Sequence, residues 1–224
     1  ALTLNNVSFL LKPGTRTVVL GHNGSGKSTL ANLCNASLFP TLGEVLVEGT
    51  ATTEVPSTQI SSVVGMVRQD PTSQLVCATV FDEVAFGPAN LGLSREDIIS
   101  RVTQTLELCG ILDLIDMPTQ ALSGGQQQLV AIAAALSLCP RYLVLDEAFA
   151  QLDTRFRNRL SELVNGLVAN GMGVLEISHS FESLPGADQV LVLEKGCLVW
   201  TGTPTEFLLD TDALTYAGFD DVLT

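Results

Sequence analysis

The densest chemistry in this 224-residue sequence lies in Gly21-His22-Asn23-Gly24-Ser25-Gly26-Lys27-Ser28-Thr29. An apolar run, Thr17 to Leu20, precedes it, and a helical pattern, Leu30-Ala31-Asn32-Leu33, follows. Strand, glycine loop and helix are the context that the phosphate-loop pattern G-x-x-x-x-G-K-[ST] requires. The glycines let successive backbone N–H groups turn inward as an anion nest, where side chains would keep phosphate away. A helix opening near Lys27 adds its N-terminal partial positive charge at the same point. Lys27 can then reach the β- and γ-phosphates, and the Ser28 hydroxyl is a ligand for a hard Mg²⁺ ion. Gly21, Asn23, Gly24, Ser25, Gly26, Lys27, Ser28 and Thr29 are therefore the expected phosphate-binding residues of a nucleoside triphosphate site. His22 stands at an unspecified position and is read as structural.

Two further stretches carry chemistry. The apolar strand Leu143-Val144-Leu145 ends in Asp146-Glu147. Strand carboxyl ends in an open α/β sheet face the ligand crevice, so both acids are expected beside the phosphate loop. Asp146 is placed to hold Mg²⁺, and Glu147 to orient and deprotonate an attacking water. Two acids capping a strand would be the bland reading; a phosphate loop in the same chain displaces it. The second stretch, Leu122-Ser123-Gly124-Gly125-Gln126, repeats the opening device: a hydroxyl and two glycines ahead of a helix expected over Gln127 to Leu138. It brings no lysine and no metal ligand, so it reads as a second half-site.

The elements that must position these residues follow from periodicity. Leu2 to Leu11 alternates and reads as a strand; Lys12-Pro13-Gly14 is a turn; Thr17 to Leu20 feeds the loop. A helix is expected from Ser28 to Leu38, short strands over 43–49 and 62–68, and a helix from Arg155 to Val168. Gly173 to Ser178 reads as a strand, and Asp188 to Thr201 as a hairpin turning at Lys195-Gly196. Between about 79 and 137 strand signals vanish and helical spacing takes over (Val80, Val84, Ile98, Val102, Leu106), with Ser94 and Asp97 resembling a capping box. This predicts an α-helical subdomain inserted into an α/β core.

Composition bounds the function. Hydrophobic content of 46% against 16% charged supports a sizeable core. The longest apolar run, Leu129 to Leu136, is far short of the roughly 20 residues a spanning helix needs. Lys and Arg total 11 against 24 Asp and Glu, a net charge of −13, which repels polyanions and argues against nucleic acid as a partner. The same deficit disfavours direct docking onto anionic lipid, so work at a membrane requires a protein partner. The five scattered cysteines show no C-x-x-C pair and read as buried thiols.

At its spacing from Ser28 and Asp146, the Ser123 stretch resembles the signature of ATP-binding-cassette (ABC) ATPases. The resemblance covers nearly the whole chain as one cassette, residues 1–224: a P-loop NTPase core with an antiparallel β portion and an inserted helical subdomain. It implies ATP and Mg²⁺ as ligands, and a second ABC ATPase subunit whose Ser123, Gly124, Gly125 and Gln126 meet ATP in trans. It further implies that Gln69 is the Q-loop glutamine, contacting the metal and the attacking water, and that Asp153, in Ala150-Gln151-Leu152-Asp153, belongs to the D-loop. His179, after the strand Gly173 to Ser178, matches the switch histidine that contacts the γ-phosphate.

One stretch is more specific. Gln69-Asp70-Pro71, Gln74-Leu75-Val76, Thr79-Val80, Asp82 to Pro88 and Asn90 to Leu93 resemble the ATPases of energy-coupling-factor importers, which take up vitamins or transition-metal ions. Gly202 to Glu206 and Ala217-Gly218-Phe219 resemble that group's ending. The resemblance implies transmembrane partner subunits and a peripheral place on the cytoplasmic face of the cell membrane, with Asp70, Asp82 and Glu83 expected to meet a basic coupling helix. Other ABC transporter classes and non-transport ABC ATPases are the rival readings. Chromosome and repair ATPases would need coiled-coil insertions between the half-sites that this chain lacks. The chain departs from the family at Ala148-Phe149, at Ala150 and at Leu129, where an arginine is usual. The family's adenine-stacking aromatic falls just before residue 1, and Phe9, the lone aromatic upstream of Lys27, reads as core. An N-terminal β-hairpin is thus expected to be missing from this sequence, and base selectivity to be blunted.

Overall fold

The computed structural model describes residues 3–150 and 152–219. Its centre is a six-stranded sheet in the order β4-β5-β6-β1-β7-β8. The strands are β1 (Arg16–Leu20), β4 (Val64–Val67), β5 (Tyr142–Asp146), β6 (Gly173–Ile177), β7 (Gln189–Glu194) and β8 (Cys197–Gly202). The first five in space run parallel, and β8 closes one edge antiparallel to β7. Both faces are covered, which is why β1 reads as an unbroken apolar run and not as alternation: Val18, Val19 and Leu20 are wholly buried. The expected Lys195-Gly196 turn joins β7 to β8, with positive φ at both residues.

Eight helices pack around this sheet among the described residues: α1 (Lys27–Cys34), α2 (Ser57–Val63), α3 (Val80–Asn90), α4 (Arg95–Leu108), α5 (Gly124–Leu136), α6 (Thr154–Ala169), α7 (Pro204–Leu209) and α8 (Thr211–Ala217). Their starts follow from capping residues visible in the sequence. Thr79, Ser94, Ser123, Asp153 and Thr203 each accept a backbone N–H of the first turn. Helices α3 to α5 lie between β4 and β5 in the chain, as the helical spacing over 79–137 predicts. They share one apolar core with the sheet, from Val102 and Leu106 through Leu129 and Ile132 to Leu143, Leu145 and Val164. Leu129, which replaces the usual arginine, is fully buried there.

Four expectations about the elements are corrected, and so is the reading of the cysteines as buried: Cys109 is buried, Cys34, Cys77 and Cys197 are half-buried, and Cys139 is exposed. The segment from Thr3 to Leu11 is not a strand, and Leu2 lies outside the described residues. Asn6 takes φ +52°, which breaks the extended run, and the Asn5 N–H goes to the Gly196 carbonyl (2.7 Å) outside any ladder. Leu4, Val7, Phe9 and Leu11 still pack on the core, so the apolar pattern marked burial and not pairing. Helix α1 stops at Cys34 because Ala36 adopts φ +58°. Residues 57–63 form α2, with Ile60 buried, and only 64–67 form the expected strand. In the stretch 43–49 only β2 (Leu46–Val47) forms, paired with β3 (Thr50–Ala51) across a Glu48-Gly49 turn.

Candidate functional site

The glycine loop joins β1 to α1 at the carboxyl end of the parallel strands. Gly21 lies against the Leu193 carbonyl, a spacing no side chain would fit. Helix α1 begins after Gly26, which offers no side-chain cap, so the first-turn N–H groups of Lys27, Ser28 and Thr29 are left for a ligand. Ser25 Oγ is buried without a hydrogen-bond partner, a polar atom facing a place where an acceptor belongs. Lys27 Nζ donates to the carbonyls of Gly21 (2.7 Å) and His22 (3.1 Å). Burial lowers the lysine's pKa, opposed by the nearby charges of Glu147 and Asp146.

The end of β5 brings the acids to this loop, as expected. Ser28 Oγ donates to Asp146 Oδ1 at 3.2 Å. Burial pushes the Asp146 carboxyl above its ordinary range, and the Ser28 hydroxyl opposes that shift. Glu147 follows with φ +53°, and its N–H donates to the Ile177 carbonyl at 3.1 Å. That turn aims its half-buried carboxylate at His179, whose Nδ1 stands 3.8 Å from Oε2. Lys27, Ser28, Asp146, Glu147 and His179 therefore form one cluster within a single chain.

Other expected residues stand apart from that cluster. Gln69 is exposed and makes no hydrogen bond to Ser28 or Asp146. The backbone beside it is anchored instead: Gln74 accepts from the Arg68 N–H (2.9 Å) and donates to the Met66 carbonyl (3.1 Å). Ser123 and Gly124 are exposed on the helical portion, at the start of α5. Gln126 is occupied locally, its Oε1 accepting the Ser123 N–H at 2.9 Å in a capping box. Gly125 packs on the Phe156 ring, where an added Cβ would fall 2.6 Å from Cγ. Asp153 caps α6 through the Phe156 N–H (2.9 Å); its loop neighbour Gln151 lies outside the described residues.

Two findings run beyond or against the sequence reading. Glu83 is not a free surface acid: it is buried and accepts the N–H groups of Val76 (2.8 Å) and Cys77 (2.6 Å). Beneath His179 runs a buried ion pair that the sequence reading missed, Arg16 Nε to Glu176 Oε2 at 2.9 Å. The Arg16 guanidinium also lies 6.0 Å from the Phe149 ring centroid, close to Glu147 in sequence. A lone glutamate inside the apolar strand Gly173–Ile177 was the signal available for it.

A parallel sheet, a phosphate loop between β1 and α1, and paired carboxylates at the end of β5 define the class: a P-loop nucleoside triphosphatase. Within that class the chain belongs to the ABC transporter ATPase family, whose profile, described as ABC transporter, matches residues 4–150. It is 40% identical over 218 residues to the energy-coupling factor transporter ATP-binding protein EcfA1 of Oceanobacillus iheyensis, covering 97% of this chain and 78% of that relative. The EcfA1 protein of Streptococcus pneumoniae is 41% identical over 219 residues, covering 97% of this chain and 79% of its own. Among solved structures, cbiO1 of Clostridium perfringens, part of the ABC transporter complex cbiONQ, superposes with a TM-score of 0.85 at 32% identity, over 95% of this chain and 86% of that one. The resemblance to the energy-coupling-factor group and the expected α/β cassette fold are both borne out.

Proposed function

We propose that this chain, as a single cassette, is the ATP-hydrolysing subunit of an energy-coupling-factor-type importer of a vitamin or a transition-metal ion. Its relatives carry that transporter's name, and a dimeric ATP-binding cassette with ADP and phosphate bound shares its fold with a TM-score of 0.82. The observation that carries the reading is the Ser28–Asp146 contact beside the Glu147–His179 pair.

The triphosphate is held by the N–H groups of Gly24 to Thr29, and Lys27 exchanges its two carbonyl partners for phosphate oxygens. Mg²⁺ fits the residues present: a hydroxyl and a buried carboxylate 3.2 Å apart are hard-oxygen donors. Ser28 and Asp146 would hold the ion, with Gln69 completing the set from its exposed loop. Bound there, the ion would neutralise phosphate charge as it develops. Glu147 accepts the proton of the attacking water, and His179 steadies that carboxylate and the γ-phosphate. The Ser123 half-site and Asp153 serve the ATP of a second ATPase subunit. As in the transporters its relatives are named for, transmembrane partner subunits hold the protein at the cytoplasmic face of the membrane as a peripheral component; no helix among the described residues is long and apolar enough to cross a membrane.

The reading is tested by isolating the tagged chain from membranes and identifying what accompanies it. Transmembrane subunits should co-purify, and ATP-driven uptake by the assembly should vanish with Lys27→Ala. An assembly without membrane subunits, or uptake that survives Lys27→Ala, would overturn it.

A further inference from the structure

The phosphate loop also meets the end of helix α8, a contact that the chemistry above does not use. Helix α8 ends at Gly218 with φ +90°, and the Phe219 N–H returns to the Leu214 carbonyl at 2.9 Å. Gly218 lies against the imidazole of His22: a Cβ built on it would stand 2.9 Å from Cε1 and 3.0 Å from Nδ1. Glycine alone accepts this backbone angle and leaves room for the ring. One residue on, Phe219 stacks on Phe181, with ring centroids 3.9 Å apart and planes 31° from parallel. It also meets the buried Phe207 edge-on at 6.3 Å.

These neighbours belong to opposite walls of the site. His22 is part of the loop, and its carbonyl accepts from Lys27 Nζ. Phe181 lies two residues past His179, in the short helical turn Phe181–Ser183. Gly218 and Phe219 thus touch both the lysine-bearing loop and the histidine-bearing segment. Phe181 and Phe219, both partly buried, pack on the edge of the layer built from Val18, Leu20, Val190, Val192 and Phe207, while His22 and Gly218 are exposed.

We propose that Gly218 and Phe219 form a clamp that sets the spacing between the phosphate loop and the His179 segment. His22, Phe181 and Phe219 are then positioning residues for hydrolysis. The proposal rests on Lys27 and His179 being the two walls of the ATP site. Losing the clamp displaces His179 and lowers turnover, whereas the loop's N–H groups still bind triphosphate.

The full chain is compared with Phe219→Ala, Phe181→Ala, the double variant and Phe219→Tyr, with Lys27→Ala alongside. Each alanine variant should lower kcat for ATP roughly ten- to a hundredfold, the scale of an ångström-sized misplacement. ATP Kd should stay within about threefold, since only the transition state is affected. The double variant should be no worse than the poorer single one, because both remove the same contact, and Phe219→Tyr should keep native turnover. Should Phe219→Ala fail to fold, His22→Ala, which trims an exposed side chain, carries the same comparison of kcat with Kd. Native kcat, equal losses in kcat and affinity, or additive losses in the double variant would overturn the clamp. Undiminished ATP binding by Lys27→Ala would instead overturn the site beneath it.

Discussion

Asp146 and Lys27 are each held against their preferred charge in the nucleotide-free chain, and burial is the first cause for both. For Asp146 the sign is definite: a carboxyl whose folded pKa is raised binds its proton more tightly folded than unfolded. Its ionised form therefore costs stability above the carboxylate range, and the cost fades as pH falls through the raised pKa. Asp146→Asn should raise the melting temperature of the nucleotide-free protein at neutral pH, by a margin that shrinks on acidification, while hydrolysis is lost. A melting series over pH checks it, and a lower melting temperature at neutral pH would refute it. Glu147 is set differently, on a strained turn facing His179. Glu147→Gln should retain ATP binding and lose roughly 10²–10⁴-fold in hydrolysis, the worth of a positioned base, as measured by phosphate release. Near-native turnover would remove Glu147 from that role. Gly21 to Thr29 and Asp146-Glu147 were legible in the sequence because each motif is local and its flanks announce its place. Arg16 and Glu176 were not, since the pair forms across 160 residues and a lone glutamate in a strand does not name its partner.

At the scale of elements, capping made helix starts readable, whereas strands depended on partners that a sequence does not reveal. Ser94 capping α4 is written in its own few residues; the alternation ahead of β1 said only that Leu4, Val7, Phe9 and Leu11 pack on the core. Glu83 shows the same limit, for its charge suggested a surface that burial denies. Its carboxylate staples the loop after Gln69 to α3 through the Val76 and Cys77 N–H groups. Hydrogen bonds to charged groups are each worth about 1.5–3 kcal/mol. For a chain of this size Glu83→Ala should thus lower the melting temperature by roughly 6–24 °C, with a calorimetric scan as the measurement. A shift within error would mean that the loop holds itself. With Glu83 withdrawn, the region offers a partner the exposed acids Asp70 and Asp82 beside an apolar surface, Val76 being 72% and Phe86 52% exposed. Phe86→Asp should therefore release the transmembrane subunit in a pull-down while ATP binding is kept. Full retention of that subunit would move the contact elsewhere.

At the scale of the whole molecule, one chain holds a loop with a lysine and a metal-ready acid, and a separate hydroxyl-glycine half-site that has neither. Ser123 and Gly124 are exposed, and no hydrogen bond among the described residues joins them to the phosphate loop. Gly125 seated on Phe156 packs the start of α5 against the start of α6, the two helices that Ser123 and Asp153 cap. On the proposed function, this half-site is completed by a second chain. If that chain is another copy, each site takes Lys27 from one protomer and Ser123 from its partner, in two-fold exchange. Lys27→Ala and Ser123→Arg then damage different halves of each site. Both variants alone should be inactive, yet a mixed dimer keeps one intact site, built from the unaltered Ser123 and the unaltered Lys27. With random pairing and independent sites, an equal mixture should recover up to about a quarter of native hydrolysis. Dilution below the dimerisation range should abolish the recovered activity. Mixed dimers formed, as seen by differential tagging, without any recovered activity would show that Ser123 does not serve a second copy's ATP.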